Sequence, residues 1–87
     1  MRGDKTKVNR LLKTARGQID GILKMIEEDR YCIDISNQIQ AANAILRKAD
    51  KEVIRGHMTG CMKDALETGN EEEKIQEFVD MLEKIMK

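Results

Sequence analysis

Eighty-seven residues allow one small domain, and a chain of this length is too short to bury a large core by itself. Charged residues make up 37% of the chain, aromatic residues make up 2%, and proline and tryptophan are absent, which favours helices over strands. The longest uncharged runs are far shorter than a membrane span, and no secretory signal is visible. We therefore expect a cytoplasmic protein without a membrane partner.

The charge is balanced overall but unevenly distributed along the chain. Residues 1–24 contain seven lysines and arginines and two acids, whereas residues 64–83 contain eight acids and one lysine. A basic N-terminal segment indicates a polyanionic partner such as nucleic acid. The plainer interpretation is that these charges lie on solvated helix faces.

The first predicted helix covers about residues 5–28. Apolar residues recur in steps of three and four from Val8 to Ile26, which is the pattern of a helix with a coiled-coil-like stripe. The stretch "EEDRYC" interrupts this pattern and predicts the end of the helix.

The second predicted helix is much longer and covers about residues 32–67. Its apolar and small residues keep the same spacing from Cys32 to Gly60, and Gly69 is a candidate C-cap. At about 1.5 Å per residue this helix is roughly 50 Å long, which indicates pairing with another chain.

The third predicted helix covers about residues 71–86 and begins with acidic residues, which suit the positive end of a helix dipole. The sequence therefore predicts an all-α protein with three helices in a single domain, 1–87.

The only histidine and the two cysteines are candidate metal ligands. His57 and Cys61 lie one helical turn apart on one face. Cys32 is 29 residues from Cys61, or about 43 Å along one helix, so the two thiols cannot share a metal within that helix.

Antiparallel pairing of the long helix with a second copy removes this difficulty, since facing residues then have numbers with a constant sum. The same rule places Cys32 opposite residues 59–60, between His57 and Cys61 of the other copy. The pairs that support it have sums of 91 or 92: Ala42 with Ala49, Ile39 with Val53, and Leu46 with itself.

Two thiolates and one imidazole suit a soft ion such as copper(I), which accepts three ligands, whereas zinc usually takes four. The alternative is that both cysteines are small apolar residues and that His57 is a surface residue. An enzyme is not expected, because the Cys–His pair lacks an orienting carboxylate and an oxyanion loop. We also expect no small-molecule substrate.

The chain resembles the copper-sensing repressor family, the CsoR-like regulators, over nearly its whole length. The resemblance is carried by "KTARGQIDGILKMIEEDRYCIDISNQI", by the H-x-x-x-C of "HMTGC", and by the 24 residues between Cys32 and His57. It implies copper(I) ligation by Cys32, His57 and Cys61. It also implies an antiparallel four-helix bundle dimer that assembles to a homotetramer, a dimer of dimers.

The resemblance further implies supporting residues around the metal and a DNA-binding surface. Tyr31 and Glu77 match positions that support the ligand histidine, and Glu77 is expected to link the metal to DNA release. Leu11 stands where many relatives carry an arginine, so the expected DNA surface is a patch rather than a single contact. Its residues are Arg10, Lys13, Arg16, Arg47 and Lys48.

The resulting hypothesis is a transcriptional repressor whose apo form binds operator DNA and whose copper(I) form releases it, so that copper-resistance genes are derepressed. Two alternatives are a persulfide or thiol sensor that uses the two cysteines as a dithiol, and a copper buffer without a DNA role. His57 argues against the first alternative, and the basic first helix argues against the second.

Overall fold

The computed structural model describes Met1 and residues 3–86. It contains three α-helices in the order α1 (Lys5–Glu27), α2 (Cys32–Thr68) and α3 (Glu71–Ile85), and no strand occurs in that part of the chain. The prediction of an all-α protein with three helices is confirmed. Each predicted helix begins where the observed one does, and each predicted C-terminal end differs by one residue.

The helix ends follow local capping chemistry. Asp4 caps α1, since its carboxylate accepts a hydrogen bond from the backbone N–H of Lys7 at 3.0 Å. Asp29 has a φ of 52°, and Arg30 donates its backbone N–H to the carbonyl of Met25, which together end α1 in a Schellman motif. Gly69, with a φ of 75°, caps α2 as the sequence predicts.

Helices α1 and α2 form an antiparallel hairpin that contains most of the buried residues. Lys7 of α1 pairs with Glu52 of α2, and Gly3 lies against Gly56, so residues that face each other have numbers with a sum of 59. The buried apolar residues of the hairpin are small or β-branched: Val8, Ala15, Ile22, Ala42 and Ala49. Their small size permits the two helices to approach closely.

Helix α3 folds back on the C-terminal part of α2 and makes no helix–helix contact with α1. Glu77 of α3 reaches His57 of α2, which defines the register of this second pair. No residue of α3 is buried. The aliphatic residues on its apolar face are 38–49% exposed: Ile75, Val79, Leu82 and Ile85.

The chain forms a long, thin layer. Its principal-axis extents are 57 × 28 × 12 Å, and its Cα radius of gyration is 17.5 Å, whereas a compact domain of this length has about 12 Å. The thinnest dimension is close to the diameter of one helix with side chains, about 10–12 Å. One layer of helices cannot cover its own apolar faces, and stable domains have at least two layers.

The apolar stripe predicted on α2 divides between two partners. Ala42 and Ala49 are 4% and 3% exposed because α1 covers them. The pairing of Ala42 with Ala49 across two chains is therefore wrong, since these alanines are already buried within one chain. Ile39 and Leu46 remain 45% and 39% exposed, and with a spacing of seven residues they share a face with Cys32.

None of the three helices, within the residues that the structure describes, combines the length and apolar character needed to cross a membrane.

Candidate metal centre

The imidazole and one thiol predicted as metal ligands are in contact. His57 and Cys61 lie in consecutive turns of α2, and the Sγ atom of Cys61 is 3.4 Å from Nδ1 of His57. Both residues are partly exposed. A single ion can therefore contact a nitrogen and a sulfur atom from this face without rearrangement of the helix.

A carboxylate from α3 orients the imidazole. Oε1 of Glu77 lies 2.8 Å from Nε2 of His57, and we assign the proton of this hydrogen bond to Nε2 because an ionised carboxylate only accepts. Nδ1 then carries the lone pair, and Sγ of Cys61 lies 3.4 Å from Nδ1 and 3.6 Å from Nε2. Carboxylates that fix the tautomer of a histidine in this way are typical partners of metal-ligating imidazoles.

Glu77 also has a second partner. Its Oε2 atom accepts a hydrogen bond of 3.2 Å from Nζ of Lys74, one turn earlier on α3. The hydrogen bond from His57, followed by the one from Lys74, lowers the pKa of Glu77, and the same carboxylate raises the pKa of Lys74. Glu77 is therefore held in its charged form between the imidazole and an ammonium group.

The other predicted ligand lies at the opposite end of α2. Cys32 is the first residue of that helix and is exposed. Within Met1 and residues 3–86 of one chain, no group of three or more histidine, cysteine or acidic side chains is arranged to hold a metal ion. A single chain therefore brings together two of the three predicted ligands, His57 and Cys61.

Tyr31 accompanies Cys32 rather than His57. It occupies the N-cap position of α2, where its carbonyl accepts the backbone N–H of Ile35, and its side chain is 68% exposed without a capping bond. A role for Tyr31 near the histidine thus requires a second copy, as does ligation by Cys32.

The basic residues predicted to contact DNA are all exposed, and they divide into two groups. Arg10 and Lys48 line one groove between α1 and α2, and Lys13 extends the basic surface along α1 from Arg10. Arg16 and Arg47 line neither this groove nor the adjoining surface of α1 that holds Lys13.

The sequence analysis did not identify several charged residues of this basic surface, nor the lysine that pairs with Glu77. Lys7 and Lys51 join Arg10 and Lys48 in the groove, and Lys74 joins Glu77. The spacing of Lys74 and Glu77, three residues apart on a predicted helix, is a signal that could have found this pair. No comparable local signal places Lys7 near α2, because that contact depends on how two helices pack.

Comparisons with known proteins identify the family and the fold of the chain. The family model described as metal-sensitive transcriptional repressor matches residues 4–84. The copper-sensing transcriptional repressor CsoR of Bacillus subtilis is 36% identical over 84 residues, which are 97% of this chain and 83% of that protein. CsoR of Mycobacterium tuberculosis is 38% identical over 69 residues, which are 79% of this chain and 58% of that longer protein.

Two solved structures share the fold. The copper-sensing repressor CsoR with Cu(I) from Geobacillus thermodenitrificans has a TM-score of 0.86 and 32% identity, and the match covers 100% of this chain and 94% of that one. The nickel-responsive transcriptional regulator InrS has a TM-score of 0.82 and 25% identity, over 97% of this chain and 94% of that one. The chain therefore belongs to the family of metal-sensitive transcriptional repressors.

Proposed function

We propose that the chain is a copper(I)-sensing repressor whose apo form binds operator DNA and whose copper(I) form releases it, which derepresses copper-resistance genes. The observation that carries this proposal is the contact of His57 with Cys61 on one side and Glu77 on the other. It supplies an imidazole with an available Nδ1, an adjacent thiol, and an acid that connects this pair to α3. A repressor of this kind acts in the cytoplasm.

The choice of copper(I) rests on the donor atoms. Cys32, His57 and Cys61 offer two sulfurs and one nitrogen, a soft set that suits a three-coordinate monovalent ion. The nickel-responsive relative of the same fold shows that the fold alone does not select the metal. Uptake should release protons, because both thiols and the imidazole must be deprotonated to bind.

Assembly of two copies completes the ligand set. Cys32, Ile39 and Leu46 repeat at intervals of seven, and continuation of this face reaches Val53 and then His57. In an antiparallel pair, Ile39 faces Val53, Leu46 faces itself, and Cys32 of one copy approaches His57 and Cys61 of the other. The dimer is then an antiparallel four-helix bundle with two metal sites, and two dimers form the homotetramer.

The exposed aliphatic residues of α1 support the same dimer. They lie on one side of that helix and are 44–56% exposed, which leaves an apolar face without a cover in a single chain: Leu12, Ile19, Leu23 and Ile26. A second layer of helices over this face would convert the thin layer into a bundle with a core.

The DNA surface is the basic patch of α1 and α2, made of Arg10, Lys13, Arg16, Arg47 and Lys48. Such a patch binds mainly phosphates, so affinity should fall steeply with salt. Metal and DNA oppose each other reciprocally: copper(I) weakens DNA binding by the factor by which DNA weakens copper(I) binding. The dithiol alternative uses neither His57 nor Glu77, and a buffer has no use for this patch.

The deciding experiment is a DNA titration of the reduced protein. The apo protein first selects its preferred duplex from random sequences, and affinity for that duplex is then measured with and without one equivalent of copper(I) per chain. We expect copper(I) to weaken binding at least fivefold, as for typical couplings of about 1–3 kcal/mol. Failure to select any sequence, or equal affinity with and without copper(I), would contradict the proposal.

Mixed dimers test the site across two chains. When one chain carries Cys32→Ala and the other His57→Ala, one site loses both of these ligands and the other site stays intact. Such dimers should bind one copper(I) tightly, whereas either homodimer should bind none tightly. Mixed dimers that bind none or two would show that the ligands are not shared in this way.

A further inference from the structure

The groove between α1 and α2 contains an acid among its cations. The groove is lined by Lys7, Arg10, Leu11, Lys48, Lys51 and Glu52. Four of these six side chains are positive, which suits a phosphate backbone. Glu52 is the exception, and a negative charge at such a site requires a physical reason.

Glu52 is the one charged residue that is buried within Met1 and residues 3–86. Its side chain is 7% exposed, and its two oxygens have different partners. Oε2 lies 3.4 Å from Nζ of Lys7 on α1, and Oε1 accepts a hydrogen bond of 2.5 Å from Nη2 of Arg55 on α2. The hydrogen bond from Arg55 lowers the pKa of Glu52, and the charges of Arg55 and Lys7 lower it further, so the acid stays ionised.

The apolar residues of the hairpin do not fix its register by themselves. Val8, Ala15 and Ile22 repeat at intervals of seven on α1, and Ala42 and Ala49 do so on α2. A slide of α1 by one heptad, about 10 Å, again places apolar residues against alanines. A polar group at one position of such an interface is a well-attested way to select a single register, usually at some cost in stability.

The contact between Lys7 and Glu52 occurs in only one of these registers. The same register seats Gly3 beside Gly56, where a Cβ atom on Gly3 would lie 3.3 Å from the Gly56 Cα atom. Both contacts lie within one turn of α2, just before His57. They set the position of residues 5–13 of α1, which include Lys7, Arg10 and Lys13.

We propose that Glu52 is a positioning residue for DNA binding, which holds Lys7 and thereby fixes the register of α1 on α2 and the spacing of the cations in the groove. The DNA part of this inference rests on the proposed function, whereas the register part does not. Glu52 need not contact DNA in this role.

The positioning role and a simple charge effect predict opposite signs. Removal of an anion from a DNA-binding groove should strengthen binding if only charge matters, since one repulsion with phosphate is lost. If Glu52 holds the register, Glu52→Gln should weaken binding roughly threefold to tenfold although the protein becomes more positive. The matched control is Asp50→Asn, which removes an exposed acid two residues away and should leave affinity equal or slightly higher.

Amide hydrogen exchange of the full-length apo protein measures how firmly this end of α1 is held on α2, without DNA or copper. We expect Glu52→Gln and Lys7→Gln each to speed exchange in residues 5–13 by roughly threefold to tenfold, with no change in residues 71–85. The double variant should exchange no faster than Glu52→Gln alone, because both substitutions break the contact between Lys7 and Glu52. Lys7→Gln keeps the test decisive if Glu52→Gln does not fold, since Lys7 is half exposed.

The DNA used is the duplex that the unmodified apo protein selects from random sequences. Weaker binding by Glu52→Gln together with faster exchange in residues 5–13 supports the positioning role. Tighter binding by Glu52→Gln, in parallel with Asp50→Asn, or unchanged exchange in both single variants, overturns it. If the unmodified protein selects no sequence, the proposed function fails, but the exchange measurement still decides whether Glu52 holds this end of α1 in place.

Discussion

The two outer helices are attached to α2 in different ways, although each attachment uses a glutamate with two partners. Helix α1 contributes three buried apolar residues, and Glu52 holds it with a side chain that is 7% exposed. Helix α3 contributes no buried residue, and Glu77 holds it with a side chain that is 41% exposed. Helix α1, which carries part of the basic patch, is therefore packed firmly, and α3, which contacts His57, is packed weakly.

This difference suits a sensor. A ligand can shift a conformational equilibrium only through contacts that differ between the two states, and weakly packed elements are the ones whose positions change at low free-energy cost. His57 lies where α2 meets the weakly packed helix. On the proposed function, copper(I) would act first on the contact between α2 and α3, and the hairpin of α1 and α2 would transmit the result as a firm unit.

Matched valine substitutions in α1 and α3 should give the largest effect on stability. They compare most directly how firmly each helix packs on α2. Val8→Ala removes buried methyl groups from the hairpin and should lower the free energy of unfolding by about 1–2 kcal/mol. Val79 lies on the apolar face of α3 and is 39% exposed, so Val79→Ala should lower the free energy of unfolding by less than about 0.5 kcal/mol. Urea unfolding of both variants at one protein concentration measures the difference. Equal costs would show that a second copy covers α3.

Glu77→Ala should separate metal binding from DNA release. The predicted ligands Cys32, His57 and Cys61 remain, so copper(I) should still bind, but the link from His57 to α3 is lost. We expect the coupling between copper(I) and DNA to fall by about 0.5–1.5 kcal/mol, half of a typical value. Operator affinity with and without copper(I) measures it, with the exposed Glu83→Ala as control. Release as complete as in the unmodified protein would place the coupling elsewhere.

Lys13→Ala should affect DNA alone. The slope of log affinity against log salt should become less negative by about 0.9, the value for one phosphate contact, while copper(I) uptake stays unchanged. Lys84→Ala, at the C-terminal end of α3, is the control and should leave the slope as it is. An unchanged slope for Lys13→Ala would move the DNA surface away from this part of α1.

The ion pairs of Glu52 should give the smallest effect, which should depend on pH. The pKa of Glu52 is lowered from 4.5 in the folded chain, so its contribution to stability is present above pH 4.5 and is lost as the pH falls through the folded value. Glu52→Gln lacks this contribution. The difference in unfolding free energy between the two proteins should therefore be full at pH 7 and shrink below pH 4.5. A difference that is the same at pH 7 and pH 3 would contradict the ionised pair.

Much of the fold follows from local chemistry that the sequence displays. Apolar periodicity, the interruption after Glu28 and the glycine at position 69 identified the helices to within one residue at each C-terminal end. Assignment of a non-enzymatic repressor is confirmed by the family match, which also agrees with the resemblance seen in the sequence. The contact between His57 and Cys61 follows from their spacing of four.

The features that the sequence did not predict depend on which helix packs against which face of α2. Periodicity identifies an apolar face but not its partner, so Ala42 and Ala49 were assigned to a second copy although α1 covers them. The burial of Glu52 was missed for the same reason, because only the register of α1 brings Lys7 above it. Ligation by Cys32 and a role for Tyr31 stay predictions, because they involve two chains.

The close contact of Gly3 with Gly56 limits where the protein can be labelled. Gly3 has a φ of 129° and only 3.3 Å between the position of a Cβ atom and the Gly56 backbone, so any other residue at position 3 meets a crowded contact one residue from His57. A cysteine introduced at position 3 to attach a fluorophore would therefore disturb this contact. The opposite end is a safer place for attachment, since Met86 is 82% exposed.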